Sequence, residues 1–90
     1  MVTINQLRDE VDILDNQIIY LLAKRMKIIK EIALEKKKIG YPLIDKKREE
    51  QMKQNWLCKS QFFKIEDKPI QIIFNEILQM SKKTQHKLIK

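Results

Sequence analysis

The sequence predicts an all-α fold: three helices per protomer, one long, one short and one of medium length, assembled as a homodimer. Three observations point there. Only 1 Gly and 2 Pro occur in 90 residues, which leaves little turn chemistry and favours few, long elements. Apolar residues recur at steps of three and four rather than two, the period of a helix and not of a strand. The first periodic stretch is also too long to be buried by a chain of this size. A domain of this length buries roughly 60–65% of its unfolded surface, so its core is thin and association with a second copy would help it.

The first helix is expected over about 3–38. Ile4, Leu7, Val11, Leu14, Ile18, Leu21, Ile28 and Ile32 form its stripe. Thr3 is a suitable N-cap, and Gly40 followed by Tyr41-Pro42 ends the helix. Such a helix would be about 50 Å long. In its middle Ile18, Ile19, Leu21, Leu22, Met26, Ile28 and Ile29 wrap much of the circumference, and a helix apolar on several sides must be buried on several sides. Length and breadth together predict an obligate dimer with this helix at its centre.

The second helix is expected over about 45–58, starting at Asp45 as N-cap. Its apolar content is low: Met52, Trp56 and Leu57. Ser60 to Glu66 reads as a connection whose Phe62, Phe63 and Ile65 pack onto the core. The third helix, over about 67–86, has Pro69 in its first turn and a stripe of Ile70, Ile73, Phe74, Ile77 and Leu78. It fades near Gln85, and the Lys-rich end frays. The whole forms a single domain over 1–90, without repeats or low-complexity tracts.

The formal charge is +7, a value compatible with nucleic acid, an anionic membrane surface or a small anion as partner. Placement decides between them. Lys37/Lys38, Lys46/Lys47, Lys82/Lys83 and Lys87/Lys90 fall in junctions, on outer faces and in the tail, where solvated Lys is the plain reading. Cys58 and His86 each stand alone, so neither a disulfide framework nor a zinc site can be built from them. The opening MVTINQLRDEVD has no apolar core of a secretory signal, and no run approaches 18 apolar residues. The expected location is the cytoplasm, with no membrane partner.

Chemistry enters where polar residues interrupt apolar stripes. Arg25 takes a seam position between Leu21 and Ile28, either as a snorkelling side chain or as a functional cation. Lys36 lies 11 residues on, three helical turns, and so projects from nearly the same face. Two cations on one partly apolar face require an anion or bear a desolvation penalty. Arg8 is about 25 Å from Arg25 along the helix, beyond the reach of one small ligand. Within one chain Arg8 pairs naturally with Asp12 at i,i+4; only an antiparallel partner helix brings a second copy's Arg8 towards Arg25. Asp45, Arg48 and Glu49 share a face at a helix start, as a cap with an ion pair or, leading into Met52 and Trp56, as part of an inward surface. Ser81 and Gln85 continue the third stripe in polar form. All three helices thus become polar on the faces that meet, which describes a lined pocket with Arg as the fork-shaped carboxylate binder.

The order Arg8, Arg25, Lys36, Asp45, Arg48, Glu49, Ser81, Gln85 resembles that of the all-helical (type II) chorismate mutase family. LRDEVDILDNQIIYLLAKR is similar to that family's first helix and PLIDKKREE to its second-helix entry; the stretch from Asn55 to Glu66 carries no part of the likeness. The resemblance implies a three-helix protomer intertwined as a homodimer, with two active sites that each take Arg8 from the partner. It implies the rearrangement of chorismate to prephenate, towards phenylalanine and tyrosine, with no cofactor and no metal. Arg8, Arg25 and Arg48 would clamp the two carboxylates, with Ser81 as an added donor. Lys36 and Gln85 would donate to the ether oxygen, and Glu49 would accept the ring hydroxyl, with a backbone N–H near Asp45 donating to it. No nucleophile or general base is needed, so Cys58 and His86 are spectators.

Three other readings compete. An isochorismate pyruvate-lyase is similar in fold and also uses a cationic helical pocket; the complete Asp45, Arg48, Glu49, Ser81 and Gln85 set favours the mutase. A non-enzymatic basic dimer binding nucleic acid would carry an exposed basic stripe, whereas Arg8, Arg25 and Lys36 fall near apolar faces. A plain coiled coil gives the second and third helices no role.

Overall fold

A computed structural model describes residues 1–88 as three helices: α1 (Ile4–Ile39), α2 (Lys46–Phe62) and α3 (Asp67–Leu88). No strand occurs among the described residues, and no helix is long and apolar enough to cross a membrane. The all-α reading is therefore correct; Lys90 lies outside the described residues.

Each helix begins and ends for local reasons. Thr3 Oγ1 accepts from the Gln6 N–H at 3.2 Å while Gln6 Oε1 accepts from the Thr3 N–H at 2.9 Å, a reciprocal box that satisfies two donors at the start of α1. At its other end Gly40 adopts φ 71°, the left-handed cap, and the N–H groups of Gly40 and Tyr41 both donate to Lys36 O. Lys36, Lys37 and Lys38 complement the negative end of the helix dipole. Asp45 Oδ1 caps α2 through the Arg48 N–H at 3.0 Å, and Tyr41 Oη donates to Oδ2 at 3.3 Å.

α2 runs to Phe62 and not to about 58, which shortens the connection to α3. Residues 58–62 contain neither Gly nor Pro, and the left-handed position that stops the helix is held by Lys64 at φ 59°. Phe62 and Phe63 do not pack onto the core within the chain. They are 78% and 68% exposed and stack edge to face on each other at 5.0 Å, and Ile65 is also exposed. α3 likewise continues past Gln85 to Leu88, its last turn supported by His86 and Lys87 at the negative end.

α3 packs against both α1 and α2, which approach each other only through side chains. The apolar core of the chain is small, made of Ala33 from α1 with Phe74 and Ile77 from α3; Trp56 of α2 lies against Phe74 at 5.5 Å between ring centroids. All of it sits beside the C-terminal half of α1. The radius of gyration is 16.6 Å, against about 12 Å for a compact chain of this length. Residues 1–21 of α1 and its lead-in are exposed throughout, including Leu14 at 55%, Ile18 at 56% and Leu21 at 60%.

Two substitutions test this account by thermal or denaturant unfolding. Phe74→Ala is expected to cost about 3–5 kcal/mol, because it removes a buried core ring against which Trp56 of α2 packs. Gly40→Ala is expected to cost about 1 kcal/mol, a conformational cost alone, since a Cβ there meets nothing within 4 Å.

Candidate functional site: a cationic cavity

Between the C-terminal half of α1, the start of α2 and the end of α3 lies a cavity of about 750 Å³. Ile28, Ile29 and Ile32 of α1, Leu43 and Ile44 of the connection, Met52 of α2 and Leu78 of α3 give it apolar walls. Arg25, Lys36, Asp45, Arg48, Glu49, Ser81 and Gln85 supply the polar groups. Seven of the eight residues singled out from the sequence therefore line one cavity. Arg8 does not; within the chain it is exposed on the far half of α1.

Arg25 Nη1 donates to Ser81 Oγ at 2.5 Å, and Nη2 lies 3.9 Å from Met52 Sδ. The Ser81 hydroxyl is buried and donates to Ile77 O at 3.0 Å. Its proton is thus directed to the backbone, and its oxygen faces the guanidinium as an acceptor that fixes Arg25. Burial lowers the Arg25 pKa, and the neighbouring positive charge of Arg48 lowers it further. Both causes disfavour the bare cation, and a bound anion would relieve both.

Lys36 Nζ donates to Leu43 O at 2.9 Å and to Gln85 Oε1 at 3.1 Å. An ammonium has three N–H donors, so one remains for a ligand. It also determines the orientation of the Gln85 amide. A cation can only be met by the carbonyl oxygen, which leaves the Gln85 NH₂ as a donor. The pair presents the third Lys36 N–H and the Gln85 NH₂ as donors to whatever lies against it.

Asp45 is committed to capping α2 and receiving Tyr41 Oη. Glu49 is different: Oε1 pairs with Lys82 Nζ at 2.5 Å, and Oε2 is buried with no hydrogen-bond partner. This is the one ion pair among the described residues, so Arg25, Lys36 and Arg48 have no carboxylate partner there.

Lys82 was not among the residues expected at the site; the expectation of a solvated Lys82 is corrected by its contact with Glu49. No sequence signal marked it, because it falls one residue off the Ser81–Gln85 face and beside another Lys. Lys83, His86 and Lys87 also border the cavity. Six cationic side chains therefore line it against two carboxylates.

Fold and site together define an all-helical protein with a cationic cavity that is rich in donors and poor in acceptors. The chorismate mutase type II family profile matches residues 7–86, and the chain belongs to that family. It is 37% identical over 83 residues to a bifunctional chorismate mutase/prephenate dehydratase of Buchnera aphidicola subsp. Baizongia pistaciae (strain Bp). That match covers 92% of the chain and 22% of the relative, so the chain spans about a fifth of that protein's length. Among solved structures, a conserved hypothetical protein from Pyrococcus furiosus is similar at a TM-score of 0.69 and 39% identity, over 94% of this chain and 97% of that one.

The repulsion between Arg25 and Arg48 gives a stability test. Arg48→Met is expected to leave thermal stability unchanged or raise it by up to about 1 kcal/mol, read from the unfolding midpoint. A loss of stability would mean that Arg48 supports the fold rather than a ligand.

Proposed function

We propose that the protein is a chorismate mutase, converting chorismate to prephenate in aromatic amino-acid biosynthesis. The observation that carries this is the Lys36–Gln85 pair, two donors held together in a cavity that also contains Arg25 and Arg48. Chorismate is a dianion, and Arg25 and Arg48 supply forks for its carboxylates, with Ser81 acting through Arg25. In the rearrangement the ether C–O bond breaks as a C–C bond forms between the enolpyruvyl methylene and the ring. Holding the two ends within one cavity supplies the orientation term. Negative charge grows on the ether oxygen as the bond breaks, and the free Lys36 N–H and the Gln85 amide donate to it. Preorganised donors at developing charge are among the largest single contributions to catalysis. The unpartnered Glu49 Oε2 is the natural acceptor for the ring hydroxyl. No proton is transferred, and neither Cys58 nor His86 has a step to perform.

The same reading includes an intertwined homodimer in the cytoplasm, acting on a small-molecule substrate and not on nucleic acid. It is supported by the apolar residues along the first half of α1, which stand exposed among the described residues. A partner helix running antiparallel would cover them and place the partner's Arg8 near Arg25 as the third carboxylate clamp.

Incubation of the protein with chorismate, followed by assay of prephenate, is expected to show turnover that falls about 10²–10³-fold in kcat in Lys36→Ala. Untouched chorismate would sink the assignment and make isochorismate the next substrate to try. The placement of Arg8 has its own test. Arg8→Ala and Lys36→Ala should each be nearly inactive, yet an equal mixture after subunit exchange should recover about a quarter of wild-type activity, because half the dimers are hybrids with one intact site of two. No recovery would mean that Arg8 is not supplied across an interface.

A further inference from the structure

Glu49 has an asymmetric environment that the reaction as described above leaves unexplained. One carboxylate oxygen is held by Lys82; the other is buried and unsatisfied. The Glu49 side chain is 16% exposed and that of Lys82 36%, so the lysine is the more open of the two, and Glu49 Oε2 is itself buried. An ion pair with one member this open contributes little to stability. Its consequence is geometric, since fixing Oε1 determines where Oε2 lies.

The alternatives open to Glu49 show what that fixing prevents. Arg25, Lys36 and Arg48 line the same cavity, and none has a carboxylate partner among the described residues. A buried carboxylate free to turn would be drawn to one of them, satisfying itself and neutralising a cation that the substrate needs. Lys82 supplies a cation from outside that set. It follows Ser81 on α3 and is rotated about 100° from it, so Ser81 meets α1 while Lys82 meets α2.

We propose that Lys82 is a positioning residue of this site: it holds Glu49 through Oε1, keeps it off the carboxylate-binding cations, and leaves Oε2 as a dry acceptor selective for a substrate bearing a hydroxyl at that point. The proposal rests on the reading of the site as a chorismate mutase and adds to it the means by which the hydroxyl is recognised.

The test compares wild type, Lys82→Met, Lys82→Gln and Lys82→Arg, each with chorismate and with an analogue lacking the ring hydroxyl. Lys82→Met and Lys82→Gln should lower kcat/KM for chorismate about tenfold, the scale of one misdirected hydrogen bond to a charged group, with unchanged helicity and melting temperature. Lys82→Arg should recover to within about threefold, since a guanidinium can hold Oε1. For the analogue, all four proteins should agree within about twofold, because no hydroxyl awaits Oε2. In a Glu49→Gln background, Lys82→Met should cause no further loss. Equal losses for both substrates, an equal loss in the Glu49→Gln background, or neutral variants as active as wild type would each overturn the proposal. Wild-type protein that leaves chorismate untouched would instead overturn the mutase reading, and the proposal with it, before any variant is compared.

Discussion

Between Ile4 and Ile39 there is neither proline nor glycine, so nothing allows the chain to turn back, and 36 residues become one rod, about 54 Å long. α2 and α3 together are too short to cover such a rod on every side. They take its C-terminal half, and the cavity forms there because that is where three helices meet. The same rod fixes the spacing of its cations. Arg25 and Lys36 line the same cavity, and Arg8 lies about 25 Å from Arg25 along the helix, outside that cavity. The position of the core, the location of the site and the unpartnered apolar face all follow from an element that cannot bend.

The electrostatics of the cavity are those of a binding site and not of a stabilising core. Its lining gathers six cations against two carboxylates, one engaged by Lys82 and the other by capping and Tyr41. Arg25 is half-buried beside a like charge, and both burial and that charge lower its pKa. Such an unbalanced arrangement of charge does not stabilise the fold.

How much of this was legible in the sequence depended on periodicity. Arg25 and Lys36 could be found because a helix returns to the same face after 11 residues, and Ser81 and Gln85 because they extend an apolar stripe. Thr3, Gly40 and Asp45 were readable as caps because their side chains, or the lack of one, perform the capping. The end of α2 was not readable: the left-handed stop is made by Lys64, a residue that carries no such signal. The exposure of Phe62 and Phe63 was hidden for a related reason, since apolar character in a connection does not say whether its own chain covers it. Lys82 was hidden because its partner lies on another helix and its own neighbours look like a solvated run.

The site's precision comes from α3, which makes few of the proposed contacts to substrate itself. Ser81 receives Arg25, Lys82 holds Glu49, and Gln85 receives Lys36, so within little more than one turn α3 orients a side chain from α1, one from α2 and a second from α1. Arg25 and Lys36 leave α1 about 16 Å apart and converge on partners about 6 Å apart on α3, bringing two distant cations to one small cavity. Ser81 and Gln85 share a face, whereas Lys82 is turned towards the other neighbour, as a helix lying between two others requires. Displacing α3 by one turn would put Gln85 at the level of Ser81 and break all three pairings at once. The register of α3 is set by Phe74 and Ile77, one to two turns before the site. The small apolar core therefore does more than hold three helices together: it fixes the alignment on which the placement of Arg25, Lys36 and Glu49 depends.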